Sequence, residues 1–312
     1  MNDLERTVTS GGRTFLLRVE TSHEAADYEK YEEVRNAIWG FPDDHLAGSR
    51  NMMCENFLAE GSSLFIGAFD LGGGGAGRLV GFSYGFAGLV DKELGFREPR
   101  NVRFYSQFAG VLPEFRSFGL GVLIKEFQRD VILGRFGLDT VICTYDPLTG
   151  VNAHRNVHHF GMDVLEYRVA TYGEYGGLLN RIDVPSDRFL MSWDLRKPPA
   201  AGPPATPGPC GLVLDVETRR VAGRTGTLAL ETVRGSTPDL DGDRLLVRVP
   251  RDFYVMLRET DVEDPETRRI PLDWRLHTRR AFLGLLGRGF RVAGFLKDAG
   301  TPPASYYLLV RR

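Results

Sequence analysis

The stretch VLPEFRSFGLG, Val111–Gly121, constrains this chain more than any other. It combines the end of an apolar strand, a proline, and Arg116, Gly119 and Gly121 in the pattern R-x-x-G-x-G. A helix must follow, because Leu120, Leu123, Ile124, Phe127 and Val131 recur at the i, i+3, i+4, i+7 spacing of one apolar face. Gly137 stands where a left-handed helix cap belongs. Glycine lets bare backbone approach a ligand, and the free N–H groups of a first helical turn attract anions. The stretch therefore reads as a phosphate-binding turn.

Elements fall on either side of it in an α/β order. Thr14–Val19 reads as a strand, and Asp27–Trp39 as a helix with Tyr31, Val34 and Ile38 on one face. Phe41-Pro42-Asp43-Asp44 breaks that helix, and a short one is expected over Arg50–Glu60. Ser63–Asp70 and Leu79–Ala87 read as paired strands. The Gly72–Gly77 run between them lacks the lysine and hydroxyl residue of a P-loop and is read as a hairpin connection. Arg103–Val111 feeds the central turn, and Thr140–Tyr145 (TVICTY) is a buried parallel-type strand. Strand, helix, strand makes a βαβ unit whose two strands lie parallel and adjacent. Asp146-Pro147 ends the second strand, a helix runs from about Val151 to Phe160, and Gly161 stops it. Val164–Thr171 and Arg188–Trp193 close this part.

Lys197–Pro209, KPPAAGPPATPGP, carries six prolines and reads as an extended spacer. The implied division is 1–196, a linker at 197–209, and a smaller α+β domain at 210–312. Beyond the linker, Gly211–Val216, Thr225–Val233 and Leu245–Val249 are expected strands, and Asp261–Asp264 an acidic loop. Pro271–Gly287 is an expected helix with proline at its start and an inner face of Trp274, Thr278, Ala281, Phe282 and Leu285. Phe290–Leu296 and Tyr306–Val310 close as strands. Helix, glycine stop, strand, loop, strand repeats the order at 151–193, so the second domain reads as a degenerate partial copy of the first. The fold class is thus α/β with a mixed (α+β) sheet.

Among 312 residues, 42% are hydrophobic and 26% charged, as in ordinary soluble globular chains. No apolar run approaches the roughly 20 residues of a membrane span, and MNDLERTVTS has no apolar signal core. Cys54, Cys143 and Cys210 are few and scattered, which suits reduced thiols in the cytoplasm. The net charge is −2, with 18 basic and 14 acidic residues from Cys210 to Arg312 against 21 and 27 before them. That balance excludes a nucleic-acid-coating surface and leaves room for a local anion site.

The whole pattern, strand, V-x-P-x-x-R-x-x-G-x-G, helix, short strand, helix, glycine and two strands, resembles the acyl-CoA-dependent N-acetyltransferase (GNAT) superfamily. Thr144–Gly173 is similar to a little-characterised bacterial branch of that superfamily. The matching positions are Asp146-Pro147-Leu148, Asn152-Ala153, Asn156, Gly161, Tyr172-Gly173, Asp187-Arg188 and Trp193. The resemblance covers residues 14–196 well and the C-terminal part loosely. It implies that backbone N–H groups of Arg116, Ser117, Phe118, Gly119, Leu120 and Gly121 hold the CoA pyrophosphate. It also implies that the strand at Val111 pairs with the pantetheine arm, and that Val111 or Leu112 N–H holds the thioester oxygen. Asn152 and Asn156 would touch the same arm. The co-substrate would be acetyl-CoA or another acyl-CoA, with no metal. The acceptor would be a small amine such as an amino acid, with no nucleic acid or membrane partner and a homodimer left open. A catalytically weak acyl-CoA-binding module and a protein acyltransferase docking through 210–312 are the rival readings.

Acyl transfer needs a neutral amine, a polarised carbonyl and a proton for the leaving thiolate. The family's usual tyrosine acid falls here on Val157. Tyr145 and Asp146, at the C-terminal end of a parallel strand where α/β ligands bind, are the substitute candidates: Tyr145 as acid, Asp146 as the group holding or deprotonating the amine. An Asp-Pro turn capping the next helix is the equal alternative for Asp146, and capping is the alternative for Asn152. His154 and His158 share zinc-helix spacing but lack the intervening glutamate and a third ligand. Arg116 is a phosphate partner, and Glu114 a solvent residue. Arg275, Arg279 and Arg280 cluster on one helix, either meeting an anion or forming a solvated face. Phe104, Tyr105, Phe108, Tyr167, Tyr172 and Tyr175 are candidate acceptor-pocket aromatics or simply core.

Overall fold

The computed structural model describes residues 4–22, 24–40, 62–72, 77–173, 176–200, 209–298 and 303–311. The helix expected over Arg50–Glu60, Cys54, Tyr175, the tip of the Gly72–Gly77 run and most of the proline run lie outside the described residues. The chain divides into two compact units, Met1–Cys143 with Asp194–Arg196, and Thr144–Trp193 with Lys197–Arg312.

The first unit is a mixed sheet. Strands β1 (Glu5–Ser10), β2 (Arg13–Val19), β3 (Ser63–Asp70), β4 (Arg78–Leu89) and β5 (Val102–Val111) pair antiparallel in sequence order. β6 (Thr140–Tyr145) then pairs parallel with β5, through Phe104↔Val141, Tyr105↔Ile142 and Ser106↔Cys143. The expected βαβ unit is present. Its helix α2 (Leu120–Val131) buries Leu120, Ile124, Phe127 and Val131 and passes through a π-helical turn to Gly137 at φ 65°. Helix α1 (Glu29–Trp39) buries Tyr31, Val34 and Ile38 and ends on Gly40 at φ 59°.

The two helices cover opposite faces of this sheet. Tyr31 of α1 meets Phe65 and Phe82, at ring-centroid distances of 5.3 and 5.8 Å. Gln128 of α2 instead bonds Ser83 and Ser106. Since Phe82 and Ser83 are successive strand residues, their side chains point to opposite sides. β1 was not anticipated. It is a polar edge strand with alternating exposed and half-buried residues, so it carries no apolar signal. Its turn, Gly11-Gly12 with both φ positive, carries the signal that reveals it.

In the second unit, α3 (Gly150–Ala153) continues into a π-helical stretch, His154–His159, that stops at Gly161 with φ 59°. β7 (Asp163–Arg168) and β8 (Arg188–Asp194) pair antiparallel. β9 (Gly211–Leu212), β10 (Leu214–Gly223), β11 (Gly226–Ser236) and β12 (Arg244–Val249) follow, then α4 (Phe253–Glu259), α5 (Pro265–Gly287), β13 (Phe290–Asp298) and β14 (Ala304–Arg311). β10 and β11 form a ribbon, and β13-β14-β12-β9 a four-stranded sheet.

α5 starts six residues before the expected Pro271. Asp264 caps it by accepting the Thr267 N–H at 2.9 Å, and Pro265 occupies its first turn. Pro271 sits inside the helix. The Asp264-Pro265 pair outcompetes Pro271 as a start signal because it brings both a cap and a pre-set φ. The inner face is as expected: Trp274, Thr278, Ala281, Phe282 and Leu285 are all buried.

Residues 144–193 share their core with the C-terminal segment. Phe282 packs on Tyr167 and Phe189 at 5.7 and 4.8 Å, and Tyr307 on Phe189 at 5.5 Å. The proline run thus follows a segment whose apolar residues are completed by what comes after it. A chain terminated after Arg196 is expected to lose cooperative thermal unfolding and to bind a hydrophobic dye. A soluble 1–196 fragment with a sigmoidal transition would refute the shared core.

Candidate functional site

In the first unit the central turn forms as the sequence dictates. Leu112 leaves β5 at φ −53° and ψ 142°, Pro113–Phe118 make a 3₁₀ turn, and Gly119 adopts φ 66°, where a side chain would be strained. A Cβ on Gly119 would meet no atom within 4 Å, so glycine serves the backbone conformation and leaves open space above it. The first internal bond of α2 runs from Val122 N–H to Gly119 O at 2.9 Å. The N–H groups of Leu120 and Gly121 therefore lie ahead of the helical ladder, at the positive end of the helix dipole.

Aromatic packing makes this turn rigid. Phe115 is buried edge-on to Phe15 at 6.4 Å, and Phe118 tilts on the same ring at 5.6 Å. Arg116 and Ser117 are exposed, and the Arg116 Nε donates to Val111 O at 3.4 Å. Glu114 is not simply solvated. It pairs with Arg78 at 3.1 Å on the surface.

The strand end before the turn is split from its neighbour. The β5–β6 ladder stops at Ser106↔Cys143. At the same point β5 carries an extra residue: Tyr84 pairs with Phe108 and Gly85 with Ser106, which leaves Gln107 as a bulge. Beyond it, Leu112 N–H is spent on Val80 O at 2.9 Å. Amide direction alternates along a strand, so Val111 N–H points to the opposite edge, away from β4. Of the two amides the sequence offered as thioester-oxygen donors, Val111 has the free direction.

The second unit holds the other candidates, and here the side chains are occupied. Asp146 is buried, and its carboxylate takes a two-pronged pair from Arg275, with Nη1 to Oδ1 at 2.9 Å and Nη2 to Oδ2. It also accepts from Arg188 at 3.3 Å and from Leu148 N–H at 2.9 Å. Burial alone would raise the Asp146 pKa, but the charges of Arg275 and Arg188, with bonds from Arg275 and Leu148, hold it below the usual carboxylate value. This is the Asp-Pro turn alternative, strengthened by an ion pair, and not a base presented to an amine.

Tyr145 is committed as well. Its hydroxyl lies 2.9 Å from that of Tyr307, which donates to Pro147 O at 2.8 Å, so the proton of Tyr145 is directed at Tyr307. Both residues were candidates on strand position alone, and the partners that occupy them come from α5 and β14, far along the chain.

Asn152 does not cap the helix. Thr149 holds the N-cap position, and Asn152 donates to its hydroxyl at 3.1 Å and accepts from Arg155 at 2.8 Å. Asn156 is buried, and its Oδ1 accepts from Arg155 at 3.5 Å. Val157, at the usual acid position, is buried. The rings of His154 and His158 lie 4.9 Å apart with their planes tilted by 51°, and burial, followed by the nearby Lys297 charge, pushes the His154 pKa down to about 4. Among the described residues no group of three metal-ligating side chains forms.

The arginine cluster fits neither sequence reading in full. Arg275 is buried on Asp146, and Arg279 grips the fully buried Asp187 at 2.7 and 2.8 Å, while Arg280 is exposed. Asp187 also accepts from Tyr167 at 2.7 Å and from Ala170 N–H at 2.9 Å, which holds Ala170 at φ 46°. Helical spacing showed that the arginines share a face. It could not show that Asp146 and Asp187 are their partners. Tyr167 is therefore core, and Tyr172 is half exposed with its hydroxyl 2.5 Å from Thr144 Oγ1.

No family model and no curated protein matches the chain. Solved N-acetyltransferase structures are similar to it. NAA60 of Arabidopsis thaliana, in complex with a bisubstrate analogue, is 14% identical with a TM-score of 0.43, over 57% of this chain and 98% of that one. The ribosomal-protein-S18-alanine N-acetyltransferase of Escherichia coli is 14% identical at 0.41, over 60% and 96%. The spermidine/spermine N-acetyltransferase SpeG of Vibrio cholerae is 11% identical at 0.40, over 58% and 95%.

Breaking a buried pair strands its partner, which typically costs about 3–5 kcal/mol. Asp146→Asn is expected to lose that much in urea unfolding. The folded pKa of Asp146 lies below an unfolded value of about 3.9. The pair's contribution is thus full above that value and is lost as pH falls below it. Stability of the Asn variant should fall less steeply below about pH 4 than that of the parent.

Proposed function

We propose that the chain is an N-acyltransferase that moves an acyl group from acyl-CoA to an amine, with Val111–Gly121 as its cofactor cradle. The observation that carries this reading is the coincidence, within a few residues, of three features. The β5–β6 ladder ends, Val111 N–H turns to the vacated edge, and α2 begins with uncapped amides behind a left-handed glycine. A pantetheine arm carries amides that can pair with an open strand edge, and its pyrophosphate suits a helix N-terminus.

In this reading Leu120 and Gly121 N–H groups receive the pyrophosphate, with Gly119 keeping the approach open and Arg116 adding charge at the rim. Val111 N–H donates to the thioester oxygen as negative charge develops on it. One such donor is worth about 10²–10³ in rate when removed in other acyl transfers. The neutral amine attacks the carbonyl carbon, a C–N bond forms and the C–S bond breaks. The amine gives up a proton, and the CoA sulfur gains one. Tyr145 and Asp146 take no part in that exchange here; they hold the second unit together. The C-terminal segment is likewise proposed as scaffold.

A second reading, a CoA-binding protein that does not turn over, is favoured by one specific observation. Val157 stands at the acid position, and the hydroxyl of Tyr145 is already engaged.

Calorimetric titration of the full chain with CoA and acetyl-CoA is expected to show binding, and none at millimolar ligand would refute the cradle. Gly121→Leu should weaken CoA at least tenfold, with a cooperative thermal transition showing that the variant still folds. Unaltered affinity would mean that the turn does not meet the phosphates. CoA release with any amine separates the enzyme from the binder.

A further inference from the structure

Gly110, one residue before the proposed oxygen donor, is covered by an indole. A Cβ on Gly110 would meet Trp39 Cη2 at 2.6 Å and Ile38 Cδ1 at 2.9 Å. Trp39 ends α1 and is fixed edge-on by two rings, Phe82 at 6.1 Å and Phe108 at 5.5 Å, with interplanar angles of 70° and 72°. Trp39 and Phe108 are both only half buried. They form a held aromatic surface that the core does not consume.

Its side of the sheet is set by the bulge. Before Gln107, Phe104 and Ser106 face α2, where they meet Phe136 and Gln128. After it, Phe108 and Gly110 face α1, and Ala109 and Val111 turn their side chains toward α2. A thioester carbonyl at Val111 N–H would have the cofactor's turn and α2 on one side. On the other it would have the edge of Trp39.

We infer that Trp39 and Phe108 form the wall along which the acceptor reaches the acyl carbon, and that the acceptor is a small amine with an apolar, aryl or alkyl, body. This rests on the acyl-transfer reading. The attacking nitrogen must be neutral, so the rings recognise the body of the acceptor and not an ammonium charge. Apolar area removed from water on such a wall gains about 25 cal/mol per Å², and a polar acceptor gains little of it.

The test is CoA release by the full chain with acetyl-CoA as donor, and with 2-phenylethylamine, hexylamine, ethanolamine and putrescine as acceptors. The first two are expected to exceed the last two in kcat/KM by about tenfold or more, the scale of discrimination that an apolar contact provides. Trp39→Ala should erase most of that preference, chiefly through acceptor KM, while calorimetric CoA affinity is unchanged. Trp39→Phe should restore much of it. Gly110→Ala, which displaces the indole without removing it, should act like Trp39→Ala, and unchanged calorimetric CoA affinity in each variant shows that the fold is kept. Equal turnover of apolar and polar amines by the parent would overturn the inference. So would preferential turnover of a peptide N-terminus, or a Trp39→Ala loss that is the same for every acceptor. CoA binding without turnover of any amine would defeat it too, whereas absent CoA binding would defeat the acyl-transfer reading on which it rests.

Discussion

Two buried carboxylates, each gripped by an arginine of the same helix, hold the second unit together. Arg275 and Arg279 lie one turn apart on α5 and take Asp146 and Asp187 from two places separated by forty-one positions in the chain. Desolvating four charges is expensive, and such pairs often stabilise a fold less than apolar residues of equal volume would. Their stronger effect is on uniqueness. α5 can sit against this segment only where both forks meet both carboxylates. The aromatic contacts of Phe282 with Tyr167 and Phe189 are then fixed in register.

Around those pairs the neighbouring polar groups are used up. Tyr167 donates to Asp187, Tyr145 is tied to Tyr307, and Leu148 N–H closes the turn at Asp146. In the first unit the emphasis reverses. There the groups facing outward from the central turn are backbone amides, and the side chains beneath, Phe15, Phe115 and Phe118, serve to hold the loop still. One unit spends side-chain chemistry on architecture, and the other builds its candidate site from main chain.

Much of this was legible in the sequence because it is local. The apolar spacing from Leu120 to Val131, the left-handed glycines at 119 and 137, and the inner face of α5 each follow from a few neighbouring residues. What was not legible depends on distant partners. Nothing near Asp146 announces Arg275, and nothing near Tyr145 announces Tyr307. A strand-end acid and base were a fair reading until those partners were placed. The choice between Val111 and Leu112 was equally hidden, since it depends on which amide faces β4. β1 escaped for a different reason: an edge strand of polar residues leaves no periodic apolar trace, although its Gly-Gly turn does.

The extra residue at Gln107 has a consequence for how this strand can vary. Upstream of it, β5 shares a ladder with β6; downstream, the strand is rotated by half a pleat. Were that residue taken up in regular pairing instead of bulging out, Phe108 would swing toward α2 and Val111 N–H toward β4, with every side chain in the site still present. The spacing of the chain is therefore an element of specificity in its own right. Substitution can tune this site, but it is the bulge that decides which edge of the strand faces the ligand.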